Sequence, residues 1–352
     1  MRGAGPRRRA RSPRPVAAAL LGATAVLASL LGASASLARV PSRRPQVFLL
    51  ASAPDSLADL KRHARSVGIV YPTFYDCERP SGSITGSAQA AVGSYAQAQG
   101  LRVMPRFNCQ DGATVHTILT DPLRRAATLA ALASIAVQGS NRGVCLDLEN
   151  DVGADREAMS SFVRTLAAML HARHRRLTVV VVGLRGEEPA RQGAFYDYRA
   201  ISAAADHVFV LAWGTHWAGS GPGPIASLEY VRAVVGYVAS LPNASRFAIG
   251  APMYALDWRA GEGEVPASAA ASQYTDVVSL ARRVGAKPRR DPASQELTFG
   301  YRGPEGAEHV VWYMDSGAVD SVLRIAEEAG LSIGLWRLGL EDQRVWSAGV
   351  VA

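Results

Sequence analysis

Asp147 and Glu149 stand two residues apart at the end of an apolar run, Gly143-Val144-Cys145-Leu146-Asp147-Leu148-Glu149-Asn150. Side chains alternate faces along a strand, so Cys145, Asp147 and Glu149 share one face. Val144, Leu146 and Leu148 share the other and are expected to pack outward against helices. Carboxylates on the inward face of an apolar strand are costly to bury, so they need partners or a task. One reading is a strand-end pair that caps a helix or meets an arginine, since ion-pair networks also collect carboxylates. The other is acid–base chemistry. Two like charges on one face raise each other's pKa, and an acid that donates near neutral pH must keep its proton. The choice depends on where the fold puts this strand end.

Apolar runs and helical patterns alternate along the chain. Strands are expected over 47–53, 69–75, 101–108, 143–149, 177–182, 207–213, 246–254 and 331–338. Between them the patterns predict helices over 57–66, 87–99, 121–137, 156–174, 201–205 and 228–239, with another over 316–329 before the last strand. Eight buried strands alternating with helices predict an α/β fold, a (β/α)8 TIM barrel. Such barrels carry their active sites at the C-terminal ends of the strands, which is where Asp147 and Glu149 fall. That position favours the chemical reading of the pair. One stretch breaks the alternation: residues 257–315 are more than a barrel loop needs. A helical piece over 274–284 and strand-like pieces over 296–301 and 309–313 predict a small α+β insertion between strand seven and its helix. The catalytic barrel then comprises residues 47–256 and 316–352.

The formal net charge of +8 suggests a polyanion partner, but its location argues otherwise. Residues 1–46 hold nine arginines and no acid, so the remainder carries 8 − 9 = −1. No nucleic-acid partner is expected. The arginine-rich start, the apolar run from Val16 to Leu31 and the small residues around Ala35 and Ala38 read as a signal peptide or an uncleaved membrane anchor, plus a linker. A secreted or extracytoplasmic protein is expected, meeting a membrane only through that anchor. Cys77 and Cys109 each follow an apolar strand and can pair in an oxidising compartment, whereas Cys145 sits mid-strand as a buried hydrophobe. No Cys/His spacing suggests a metal site.

The run ending in Asp147-Leu148-Glu149 resembles the strand-four signature of glycoside hydrolase family 18, Asp-x-x-Asp-x-Asp-x-Glu. More closely it resembles the reduced form of the spore-germination, cortex-lytic branch. Three further regions are similar to that branch: 217–226, beginning at Trp217; 249–254, ending at Tyr254, with Asp257 and Trp258; and 312–315 together with 334–342, with Tyr313 and Trp336. The resemblance implies that Glu149 is the general acid and that Asp147 orients the substrate's acetamido group. The acetamido oxygen itself would then attack the anomeric carbon, a departure from the two-carboxylate scheme. It also implies that Trp336 is the aromatic floor beneath the sugar at the cleavage point, and it requires no metal or organic cofactor.

The sequence departs from the family in two motifs. Arg142 and Cys145 replace the two earlier acids of the signature. On strand six, Leu211-Ala212-Trp213-Gly214 replaces Met-x-Tyr-Asp, so Trp213 offers an indole N–H where the family offers a hydroxyl. Tyr254 and Tyr313 are candidates to supply the missing group. The expected activity is hydrolysis of β-1,4 bonds at N-acetylglucosamine in peptidoglycan, by a monomer that binds amino-sugar glycan. The alternatives are a chitinase acting on chitooligosaccharides and a glycan-binding barrel with little or no cleavage.

Overall fold

The computed structural model describes residues 44–149, 153–187, 192–259, 269–304, 306–347 and 351. The expected leader, Asn150, Glu305 and the 260–268 part of the insertion lie outside the described residues. From Ser42 onward the chain forms one compact unit.

Eight parallel strands close on themselves. They are β1 (Gln46–Leu49), β2 (Ile69–Cys77), β3 (Arg106–Cys109), β4 (Gly143–Leu148), β5 (Arg176–Val182), β6 (His207–Leu211), β7 (Phe247–Pro252) and β8 (Ser332–Trp336). Each pairs with its sequence neighbour in the barrel, and β1 pairs with both β2 and β8, which closes the ring. The (β/α)8 expectation therefore holds. Strand three comes in two pieces, because Pro105 has no N–H to give the ladder. Its first piece, Arg102–Val103, pairs with the start of β2.

Alternation sorts the side chains as expected. Val144, Leu146 and Leu148 join the large core beneath the helices, while Cys145 joins Phe48, Tyr71, Met104, Val180 and Phe209 inside the barrel. The Phe209 ring fills the axis only because Gly250 and Gly334 have no Cβ. A Cβ there would come within 2.5 Å and 2.2 Å of the ring.

Local signals set the element ends. Asp121 caps the helix Pro122–Ala136 by accepting from Arg124 N at 2.8 Å, with Pro at the first turn. Two elements escape a simple pattern reading. The helix Gly112–Thr120, capped by Asp111, lies in what reads as a loop. The strand Ile84–Gly86 folds back antiparallel on the end of β2.

The insertion is a five-stranded antiparallel sheet in the order Ala269–Ser272, Ala255–Arg259, Glu308–Tyr313, Leu297–Arg302, Arg289–Arg290, with the helix Tyr274–Arg283 packed on it. Its own small core holds Val277, Ala281, Phe299, Val311 and Tyr313. Buried Glu296 ties it to the barrel by accepting from Ile225 N at 2.9 Å and Ala226 N at 2.7 Å, in the loop after β6.

Candidate active site

The C-terminal end of β4 presents both carboxylates inward, at different depths. Asp147 is 2% exposed and lies in the wall of the barrel. Its Oδ2 accepts from Arg106 Nε at 2.6 Å, with Arg106 Nη2 at 2.5 Å from the same oxygen. Its Oδ1 is buried and meets no donor among the described residues. Glu149 lies one residue beyond the strand. Its backbone N–H donates to Cys109 O at 2.9 Å, and its Oε1 accepts from Gln110 Nε2 at 2.5 Å.

These surroundings separate the two acids. Burial, and then the neighbouring Asp147 charge, push Glu149 up to about 7. Burial also raises Asp147, but there the Arg106 guanidinium opposes it. The pair thus consists of a carboxyl poised to hold a proton near neutrality and a carboxylate held against a buried cation. This is the arrangement that general acid catalysis needs. The thiol of Cys145 is pushed well up by burial and stays inert.

Arg106 belongs to β3, directly across from Cys145 in the register. Beyond Asp147 it donates from Nη2 to Asn108 Oδ1 at 2.7 Å, and Asn108 Nδ2 donates to Asp76 Oδ1 at 3.1 Å. Its guanidinium also lies 5.1 Å from the Trp336 ring centroid. One buried cation therefore holds Asp147, lies over the aromatic floor and reaches the rim of β2 through Asn108. Cys77 and Cys109, at the ends of β2 and β3, are joined in a disulfide with a Cα–Cα distance of 5.2 Å.

Above the acids lies a cavity of about 420 Å³. Glu149, Trp213, Trp217, Tyr254 and Trp336 all line it, with Gln110 beside the acid. Trp336 rests on Phe48 with ring centroids 4.9 Å apart, so the floor of the cavity is also the lid of the barrel core. Trp217 is 59% exposed at the mouth. Burial raises the Tyr254 hydroxyl, which therefore stays protonated. Trp213 packs over Gly250, where a Cβ would come within 2.8 Å of the indole. A second hollow of about 400 Å³ opens on the far side of Arg106, between Thr73, Asp76 and Gln89.

Tyr313 is not part of this wall. It is 2% exposed and packs against Phe299 and Tyr274 inside the insertion. Alternation decides this: Tyr313 turns into the insertion's core, and its neighbour Trp312 turns toward Trp213 and Tyr254. The expectation that Tyr313 meets substrate is corrected accordingly. Arg106 and Gln110 belong to no sequence motif that marks them as site residues. The signal for Arg106 was an arginine inside the apolar run 101–108, one strand away from the acids.

The chain matches the glycosyl hydrolases family 18 model over residues 72–340. It belongs to that family. Among curated relatives, this family-18 chain is 28% identical over 208 residues to the cortical fragment-lytic enzyme of Bacillus anthracis, covering 58% of this chain and 48% of the relative. It is 25% identical over 299 residues to a protein named uncharacterized glycosylase YvbX of Bacillus subtilis (strain 168), covering 82% and 85%. The chain spans about half the length of some relatives, 54% for YdhD of Bacillus subtilis and 48% for the Bacillus anthracis enzyme. Among solved structures it is similar to a chitinase from Chromobacterium violaceum ATCC 12472, at 26% identity and TM-score 0.76, covering 87% of this chain and 98% of that one.

Proposed function

We propose that this family-18 chain hydrolyses β-1,4 bonds next to N-acetylglucosamine in peptidoglycan, outside the cytoplasm, by substrate-assisted retaining catalysis. The observation that carries the reading is Glu149. It faces a cavity walled by tryptophans, and burial with a neighbouring carboxylate holds its proton up to about 7.

In the first step Glu149 gives its proton to the glycosidic oxygen and the bond to the anomeric carbon breaks. The acetamido oxygen of the same sugar closes on that carbon. Positive charge gathers on the acetamido group, and the ionised Asp147 faces it. In this reading the Asp147 carboxylate, whose Oδ1 meets no donor among the described residues, accepts the acetamido N–H. In the second step Glu149, now ionised, takes a proton from water as the water opens the ring intermediate, and the acid is restored. The Tyr254 hydroxyl stands in for the hydroxyl that strand six no longer offers at Trp213. Peptidoglycan is favoured by the relative named as a cortical fragment-lytic enzyme. Chitooligosaccharide is the second reading, favoured by the similarity to a chitinase. The leader composition and the Cys77–Cys109 bridge support export.

Glu149→Gln keeps shape and hydrogen bonding but removes the transferable proton. Turnover, read by mass spectrometry of purified cell-wall fragments and chitooligomers, should fall by about a hundredfold or more with glycan affinity retained. Wild-type hydrolysis that is unchanged in Glu149→Gln would refute the role and leave a glycan-binding barrel.

A further inference from the structure

The near-zero net charge of the barrel conceals a strong asymmetry. The loops that enter the strands all lie at the barrel end opposite the cavity. Arg44 precedes β1, Arg65 precedes β2, Arg102 opens the first piece of strand three, Arg142 precedes β4, and Arg175 and Arg176 enter β5. These five strands are consecutive neighbours in the sheet, so the arginines form one arc around more than half of the ring. All except half-buried Arg175 are exposed. In the described loops between each helix and the strand it enters the one acid is Asp206, which Arg176 already meets at 2.6 Å, and the helix before β8 ends in Glu327 and Glu328, outside the arc.

Helix dipoles explain part of this, because cations are favoured at helix C-termini. Arg175 serves that purpose, donating to Ala136 O at 3.1 Å. No such bond engages the side chains of Arg44, Arg65 or Arg142 among the described residues. Arg44, Arg65 and Arg102 instead line a hollow of about 370 Å³ with Gly68 and Gly100. A concave site with three guanidinium groups and no acid is suited to phosphate.

We propose that this end of the barrel is a docking surface for an anionic lipid bilayer, with lipid phosphates seated against the arginine arc and the catalytic cavity directed away. Charge complementarity is the first argument: clustered arginines on one face are drawn to an anionic leaflet within about a Debye length. The second is where the rest of the chain joins. Arg44, where the described residues begin, stands on this face, and in the sequence the apolar run that ends at Leu31 lies only thirteen positions upstream. Among the described residues no helix is long and apolar enough to cross a membrane. The proposal does not depend on glycan cleavage, since none of these arginines is near the acids.

The test uses the compact unit from Ser42 onward, which holds the whole barrel without the apolar run. Co-sedimentation is measured with vesicles of phosphatidylcholine alone and with 30% phosphatidylglycerol added, at about 50 and 300 mM salt. The expected result is binding only to the anionic vesicles, weakening at least tenfold as salt rises. A triple variant, Arg44→Glu, Arg65→Glu and Arg142→Glu, should lose at least tenfold of that binding while hydrolysing glycan at the wild-type rate, which reports an intact fold. Equal binding to neutral vesicles, no binding by the wild type, or full binding by the triple variant would overturn it. So would binding to a soluble polyphosphate without binding to vesicles, which would assign the arc to an anionic polymer instead.

Discussion

Arg106→Met removes the guanidinium that faces Asp147 while keeping an apolar stem of similar reach. Arg106 is 6% exposed and Asp147 2%, so solvent screens little of the pair. Deleting one member of a buried ion pair typically costs about 3–5 kcal/mol, because the other charge stays buried. Without the guanidinium nothing opposes the burial that raises Asp147, so its carboxyl is pushed further up and holds a proton more readily than in the wild type. Two consequences are expected together. Turnover falls by about a hundredfold or more, since a neutral Asp147 no longer stabilises the charged acetamido group. The alkaline limb of the pH–rate profile also moves below about 7, because the Asp147 charge helps to hold the Glu149 proton. Arg106→Lys keeps the charge without the fork and should fall between the two. The assay is kcat and KM on chitooligomers and purified muropeptide glycan from pH 4 to 9, with circular dichroism to confirm folding. A folded Arg106→Met enzyme with kcat within threefold of wild type and an unmoved alkaline limb would refute the electrostatic account.

For the wild type, kcat/KM is expected to hold below about pH 7 and to fall tenfold per unit above it, as Glu149 loses its proton; a rate that keeps rising to pH 9 would count against Glu149 as the acid. Tyr254→Phe should lower turnover on N-acetylated glycans at least tenfold, whereas Trp213→Tyr should raise it by returning a strand-six hydroxyl; steady-state kinetics that show neither change would remove the acetamido-donor role from this wall. Replacing Cys77 and Cys109 by Ser opens a loop with a sequence separation of 32, which chain entropy values at about 3–4 kcal/mol; denaturant midpoints under oxidising conditions should show the loss, and a midpoint unchanged between the two forms would contradict it.

The barrel was legible because each strand carries its own continuous apolar run and each helix its own period. The acid pair was legible because alternation fixes its face and the fold fixes its end. What escaped depends on contacts between distant segments. Arg106 lies within a run interrupted by Pro105, and only the register of β3 against β4 shows that it meets Asp147. The insertion strands Ala255–Arg259 and Ala269–Ser272 escaped for different reasons. The first follows β7 closely enough to read as its end, and the second has no β-branched residue to mark it. Tyr313 went wrong by one position, which in a strand reverses the face. Glu296 gave no signal at all, because its partners are backbone N–H groups some 70 residues earlier in the chain.

The pairing of Arg106 with Cys145 across the β3–β4 register bears on how this sequence can change. Position 145 is where the family signature carries an acid, and here a small neutral side chain stands beside a guanidinium. Cys145→Asp would not simply complete the longer form of that signature. It would place a second anion against Arg106 and divide one cation between two carboxylates, loosening its hold on Asp147. The two sites are therefore coupled through Asp147: what a carboxyl at 145 does depends on whether a guanidinium stands at 106. A change at either position is felt at the acid pair, so the two are to be varied together rather than one at a time.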